Sequence, residues 1–226
     1  MTQTTDNRPV VQLPRPTLER LPAYHRCISA AVVNGEQFIS SAELGRRLNI
    51  DEAQVRRDLS LVWGKGRPGL GYEAASLITR LDEVLGYNNV ADAVLVGAGR
   101  LGRALYAYPG FKRYGLEIAA VFDVDSAVIG QMLQGGAHGE QVVLSAIKMP
   151  DLVRRMHIQL GIITVPADSA QLVANDMIKA GIRAIWNFAP IRLKVPNEVM
   201  VRHEDLAIGL ATLSYHLTHT PTSLEL

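Results

Sequence analysis

The chain has 226 residues, room for one large domain or two small ones. It is 48% hydrophobic and 20% charged with a formal net charge of +1. That balance excludes a disordered or uniformly basic chain, so contact with nucleic acid would need a local basic patch. The single cysteine, Cys27, excludes an internal disulfide, as suits a reducing cytoplasm, and no apolar run reaches the length of a membrane span.

The chain opens on a polar, proline-containing stretch. Met1 to Arg8 carries no apolar core of a secretory signal, and residues 1–16 are expected to form a flexible arm. Thr17 can cap a helix through Leu21, Ile28 and Val32. Pro22 is poorly tolerated inside a helix, so the regular helix is expected from near Leu21 to the Asn34-Gly35 stop. Cys27 falls in its apolar pattern as a buried structural thiol.

Ser40-x-x-Glu43 is a capping box for a short helix over Ala42 to Leu48. After the tight connection Asn49-Ile50, Asp51 caps a second helix, with Gln54 three residues on. Val55, Leu59 and Val62 form its core stripe, and Ala53, Arg56, Arg57 and Ser60 its opposite face. Gly64-Lys65-Gly66-Arg67-Pro68-Gly69-Leu70-Gly71-Tyr72 then suits the tip of a hairpin. Two short helices and a basic, glycine-rich wing make a winged helix, whose needs on DNA are close backbone approach and positive charge. The candidate DNA-binding residues are Ser40, Arg46, Arg47, Gln54, Arg56, Arg57, Ser60, Lys65 and Arg67. The alternative is a solvated helix face beside a flexible loop.

Tyr72 to Leu85 is expected as a linker helix ended by Gly86. Val94-Leu95-Val96 then runs into Gly97-Ala98-Gly99-Arg100-Leu101-Gly102. A buried strand, a G-x-G-x-x-G turn and a helix from Ala104 to Tyr108 form the dinucleotide fingerprint. Its glycines allow the tight turn, the approach of a pyrophosphate and the helix–strand packing. A second strand, Ile118 to Phe122, ends at Asp123, where a ribose-binding acid belongs; no arginine stands near it in sequence, which favours NAD(H) over the phosphorylated form. Further on, the pattern predicts a helix over Ser126 to Leu133, a loop over Gln134 to Gly139 and a strand over Gln141 to Leu144. A helix over Pro150 to Met156, a strand over Ile158 to Val165 and a helix over Ala170 to Ala180 follow, then strands at Ala184 to Asn187 and Val199 to Val201. Such alternation implies a doubly wound parallel sheet, a Rossmann α/β domain, with ligand at the C-terminal strand ends. Val124, Thr164-Val165-Pro166 and Asn187-Phe188-Ala189-Pro190 should therefore face the glycine loop.

Several of these stretches together resemble the Rex redox-sensing repressors: Gln54 to Ser60, Gly69 to Tyr72, Gly97 to Gly102, Tyr108-Pro109-Gly110-Phe111, Phe122-Asp123-Val124-Asp125, Ile163 to Pro166 and Asn187 to Pro190. They stand in the family's order, from about Leu18 to Leu217. One departure is Leu61-Val62-Trp63, where that family commonly has aromatic residues and a glycine. The resemblance implies a homodimer that binds double-stranded operator DNA when NADH is low and releases it when NADH binds. It also implies a polar contact of Arg26, Tyr108 and Asp205 linking the two domains across the dimer, which makes Tyr108 a candidate for both cofactor and switch.

The last predicted helix, Asp205 to Leu217, is apolar nearly all round, with no charge from Leu206 to Tyr215. A helix of that kind must be buried, most simply by exchange with a second subunit. The expected organisation is an arm at 1–16, a winged helix with linker at 17–85, a Rossmann domain at 86–204, a dimerisation helix at 205–217 and a tail at 218–226. No catalytic or metal-binding constellation emerges: the histidines His25, His138, His157, His203, His216 and His219 read as surface or helix-packing residues. Two rival readings stay open, an NAD-dependent dehydrogenase and a nucleotide- or CoA-binding module.

Overall fold

The computed structural model describes residues 13–136 and 139–219. Most of the N-terminal arm, His138 and the end of the tail lie outside the described residues. The chain divides into two compact units, residues 1–88 and 89–226. Among the described residues no helix is long and apolar enough to cross a membrane.

The first unit contains α1 (Arg15–Val33), β1 (Phe38–Ile39), α2 (Ser41–Leu48), α3 (Glu52–Val62), β2 (Tyr72–Glu73) and α4 (Ala74–Leu85). Helix α1 begins at Arg15 rather than near Leu21. Pro16 sits in the first turn, where its missing N–H costs nothing, and Pro22 is accommodated in the interior. Thr17, Leu21, Tyr24, Ile28 and Ala31 form one buried stripe at helical spacing. Full burial of Leu21 and Ile28, about 2 kcal/mol each, works against the roughly 3 kcal/mol penalty of an interior proline. Cys27 is half-buried, not buried as expected. His25 packs α1 on α4 through Asp82 at 2.8 Å, with the Tyr87 ring edge-on to it.

Both expected caps are present. Ser40 accepts the Glu43 N–H and Asp51 the Gln54 N–H, and Asn49 closes α2 in the left-handed region. Val55, Leu59 and Val62 are buried. Tyr72 and Glu73 belong to a strand, not the linker helix, because they pair antiparallel with Ile39 and Phe38. The wing closes above them with an Arg67–Gly71 bridge.

The second unit is built on β3 (Ala91–Val96), β4 (Leu116–Asp123), β7 (Leu144–Ser145), β8 (Leu160–Ile163), β9 (Ala184–Asn187) and β10 (Met200–His203). They form one sheet in the order β10-β9-β8-β3-β4-β7, with each neighbouring pair parallel. Counted from the first strand of the unit, this is the doubly wound Rossmann order, and the winding reverses between β3 and β8. The connections include α5 (Arg100–Tyr106), a 3-10 turn at Pro109–Tyr114, α6 (Met149–Met156) and α7 (Ala167–Ala180); α8 (Leu206–His219) closes the described chain.

Some expected elements are different. Residues 126–133 are not a helix. The Asp125 side chain accepts the Ala127 N–H and Gly130 takes a φ of +87°, so the chain turns. It then returns as a hairpin of β5 (Met132–Gly136) and β6 (Gly139–Val142) that buries Leu133. Only Leu144 and Ser145 join the main sheet. Strand β8 is shorter than expected, because Ile158 donates to Val153 O and so belongs to the end of α6. Helix α5 stops at Tyr106, which leaves Tyr108 in the connection before the 3-10 turn.

Candidate nucleotide crevice and nucleic-acid interface

The glycine loop joins β3 to α5 at the point where the sheet's winding reverses. Gly97 has a φ of +108°, and a Cβ there would lie 2.8 Å from the Thr164 carbonyl. A Cβ on Gly102 would lie 1.9 Å from Gly97 O. Both positions demand glycine for the fold itself. Gly99 differs: its φ is −71°, and nothing lies within 4 Å of a built Cβ. The space over Gly99 faces the first turn of α5, whose N–H groups have no partner within the helix.

Asp123 ends β4 beside this loop. Its Oδ2 accepts the Ala98 N–H at 2.7 Å, and its Oδ1 accepts the N–H groups of Val124 and Asp125. Three of roughly four acceptor sites on the carboxylate are thus engaged, which leaves capacity for one further donor. Arg103, one turn beyond Arg100, donates to Ala98 O at 2.8 Å and to Gln131 at 2.6 Å, so it braces the loop against the turn before β5. Thr164 closes the other side with its hydroxyl 2.7 Å from Gly97 O. Arg100 and Leu101 are exposed on α5, Val165 is partly buried, and Pro166 precedes α7. Val124 is 82% exposed beyond Asp123, and Ile147 is 90% exposed beyond β7, two bare apolar side chains at adjacent strand ends.

Asn187 and its loop lie at the same edge of the sheet. The Asn187 amide is turned into its own loop, bonding Ala189 and Ile191. It shapes the Phe188-Ala189-Pro190 turn rather than presenting a group outward. An aromatic run connects this loop to Tyr108. Tyr108 packs on Phe111 at 5.0 Å, Phe111 on Trp186 at 5.6 Å, and Trp186 on Phe188 at 4.9 Å between ring centroids.

In the first unit, α3 and the wing border a cleft of about 510 Å³. Ser40, Arg56, Ser60, Lys65 and Arg67 line it, and the Arg67 guanidinium lies over the Phe38 ring. The Ser40 hydroxyl oxygen caps α2 and so keeps its proton for another partner. Other candidate residues are engaged within the unit. Arg47, with its side chain 28% exposed, pairs with both Glu36 and Glu43. Arg46 pairs with Glu43, Arg56 with Glu52, and Arg57 with Gln54. The Arg46 and Arg47 guanidiniums hold the Glu43 carboxyl down at about 2.

Gln54 also donates to Asp58, a residue outside the candidate set drawn from the sequence. Asp58 is 1% exposed and anchors α3 to α1. It accepts from Thr17 at 2.9 Å, from Arg20 twice at 2.7 and 2.9 Å, and from Tyr24 at 2.8 Å. Burial works to raise this carboxyl, but the bonds from Arg20, Tyr24 and Thr17 outweigh it and hold it below the usual carboxylate range. The signal was present in the sequence: an acid stands at i+3 from Val55, inside the apolar stripe.

The polar trio is divided between the units. Arg26 is exposed on α1 of the first unit. In the second, Tyr108 is 53% exposed, and Asp205 is exposed with its carboxylate accepting the Ala207 N–H at the start of α8. On α8 itself Ile208, Leu210, Leu213, Tyr215 and Leu217 are all exposed.

A family model described as "Putative DNA-binding protein N-terminus" matches residues 12–60, and one described as "CoA binding domain" matches residues 88–191. The redox-sensing transcriptional repressor Rex of Chloroflexus aggregans is 40% identical over 206 residues, 91% of this chain and 95% of that protein. Rex of Bacteroides thetaiotaomicron is 38% identical over 205 residues, 89% of this chain and 90% of that protein. A crystal structure of RSP in complex with beta-NAD+ and operator DNA matches with a TM-score of 0.84 at 33% identity, over 91% of this chain and 93% of that one. RSP in complex with beta-NADH matches with a TM-score of 0.80 at 32% identity, over 92% and 95%.

Proposed function

The chain belongs to the Rex family of redox-sensing transcriptional repressors, and from that premise we propose that it holds operator DNA when NADH is scarce and leaves it when NADH enters the crevice of the second unit. The observation that carries this reading is that one chain combines a winged cleft lined by cations with a dinucleotide crevice where the sheet's winding reverses. The pyrophosphate lies over Gly99 at the N-terminus of α5, and the ribose hydroxyls bond the remaining acceptor of Asp123. The adenine packs between the bare side chains of Val124 and Ile147, and the nicotinamide against Val165-Pro166 and the loop from Asn187 to Pro190. On DNA, Ser40, Lys65 and Arg67 contact phosphates while Arg56, Arg57 and Ser60 meet base edges. The working form is a cytoplasmic homodimer in which exchange of α8 covers its apolar residues and sets two recognition helices on a palindromic site. The role is regulatory rather than catalytic.

The test is operator binding with and without NADH, in the parent and in Gly99→Val. The built Cβ at Gly99 meets nothing, so the variant should fold as the parent does. Its side chain fills the pyrophosphate position, so NADH affinity should fall by about ten-fold or more, ~1.4 kcal/mol, and the variant should stay on operator at NADH concentrations that release the parent. An unchanged NADH titration would remove the glycine loop from the site.

A further inference from the structure

Strands β9 and β10 run side by side with Asn187 opposite His203. Asn187 is fully buried, and the backbone around it determines which way its amide points. Oδ1 accepts the Ala189 N–H at 3.1 Å, and Nδ2 donates toward the carbonyl oxygens of Ala189 at 3.1 Å and Ile191 at 2.8 Å. Turned over, the amide would set its oxygen against two carbonyls and its NH₂ against an N–H. Nδ2 also faces Nδ1 of His203 at 3.0 Å. An amide nitrogen has only protons to offer, so in this contact Nδ1 of His203 can act only as an acceptor, sharing the two amide protons with the two carbonyls, and the tautomer that serves it carries its proton on Nε2. A second proton on His203 would remove that acceptor and set two N–H groups against each other.

Resting on the cofactor reading above, we infer that His203 is a positioning residue that makes the response to NADH depend on pH. Neutral His203 holds Asn187, and through it the loop to Pro190, in the shape that borders the crevice. Protonated His203 releases Asn187, so NADH binds more weakly as pH falls and the protein keeps its operator at NADH levels that would otherwise free it. The joint reaches further along the chain. The Glu204 N–H donates to Asn187 O at 2.9 Å, and its carboxylate accepts the Trp186 Nε1–H at 3.3 Å, one residue before Asp205 and α8.

Three segments of this half of the sheet carry charged groups. On β10, Arg202 and Glu204 pair at 3.0 Å, and Asp205 follows. The segment between β9 and β10 carries Arg192, Lys194 and Glu198, and α7 carries Asp168, Asp176 and Lys179. From β9 come Trp186 and Asn187, which carry no charge. None of these is a histidine, the side-chain type that changes charge near neutrality.

The experiment is NADH titration of the full chain at about pH 8 and about pH 6, a window that spans ordinary imidazole protonation. The parent should bind several-fold more weakly at the lower pH. His203→Asn offers a carbonyl acceptor without a titrating group and should bind alike at both. A flat parent, or an equal slope in His203→Asn, overturns the inference while leaving the cofactor reading intact. No NADH binding by the parent at either pH overturns that reading and this inference with it. Nitrogen-15 spectra of the parent supply a check that needs neither variant nor ligand. Nδ1 of His203 should appear as an unprotonated acceptor at about pH 8, and a proton found there overturns the inference.

Discussion

Asp58 decides at the scale of one residue how α3 sits against α1. A carboxylate 1% exposed among apolar side chains is costly unless every lone pair is satisfied, and here donors from Thr17, Arg20, Tyr24 and Gln54 satisfy it. Arg20 keeps some contact with water, so an orphaned guanidinium would regain hydration. Asp58→Ala should therefore cost stability at the low end for a broken buried pair, on the order of 3 kcal/mol. Thermal unfolding would show this as a lowered Tm of the first unit; a Tm unchanged within error would mean that the carboxylate carries no net weight. The pH dependence follows from the direction of the shift. The folded carboxyl sits below its unfolded value, so its contribution is fully present above about pH 4 and is lost as pH falls through the lower folded value. The half-buried Glu43 behaves in the same sense, losing its ion pairs as pH falls from about 4 toward its folded value of about 2.

At the scale of elements, the arginines of α2 and α3 separate into two kinds. Arg47 holds Glu36 and Glu43 together and so braces α2 against the turn between α1 and β1. Arg56 and Arg57 are exposed on α3, and their partners Glu52 and Gln54 stand on the same helix, so turning toward DNA costs only a weak surface pairing. Changing Arg56 and Arg57 together to Ala should weaken operator binding by about 1–3 kcal/mol for each base edge no longer read, with NADH binding retained. Arg47→Ala should weaken operator binding less at equal salt. Titrations of labelled operator against both variants compare the two directly, and equal effects would show that the recognition face has been drawn too narrowly. In the second unit a turn stands where a helix was expected over Ser126 to Leu133, and Arg103 ties this turn, just before the β5–β6 hairpin, to the glycine loop.

For the whole molecule the question is how NADH in one unit changes DNA affinity in the other. A ligand shifts an equilibrium only by its differential affinity for two arrangements. On the proposed reading Tyr108 would sense the cofactor, because edge-on and tilted ring contacts through Phe111, Trp186 and Phe188 connect it to the Asn187–Pro190 loop. On the same reading Asp205, which caps α8 directly after β10, would pass the change on. Asp205→Ala should leave NADH affinity within a few-fold but reduce the coupling between NADH and operator, typically worth about 1–3 kcal/mol. The measurement is operator affinity with and without saturating NADH in parent and variant. The same ratio in both would take Asp205 out of the switch.

Local backbone requirements were legible in the chain itself. The glycines of the 97–102 loop, the acid that ends β4, the caps Ser40 and Asp51 and the core stripe of α3 each follow from groups within a few residues of one another. Their geometry is the same in any surroundings. Three features were settled only by tertiary structure. Asp58 meets donors 34 to 41 positions away, Asn187 meets His203, and Phe111 packs edge-on against Trp186. Tertiary packing also overrode one local reading, since the stripe around Leu21 carried α1 past Pro22, while the helix expected over Ser126 to Leu133 gave way to a local turn capped by Asp125. A periodic pattern records which side of an element is buried, but not which distant donor waits there, because that pairing comes into being only when the elements pack.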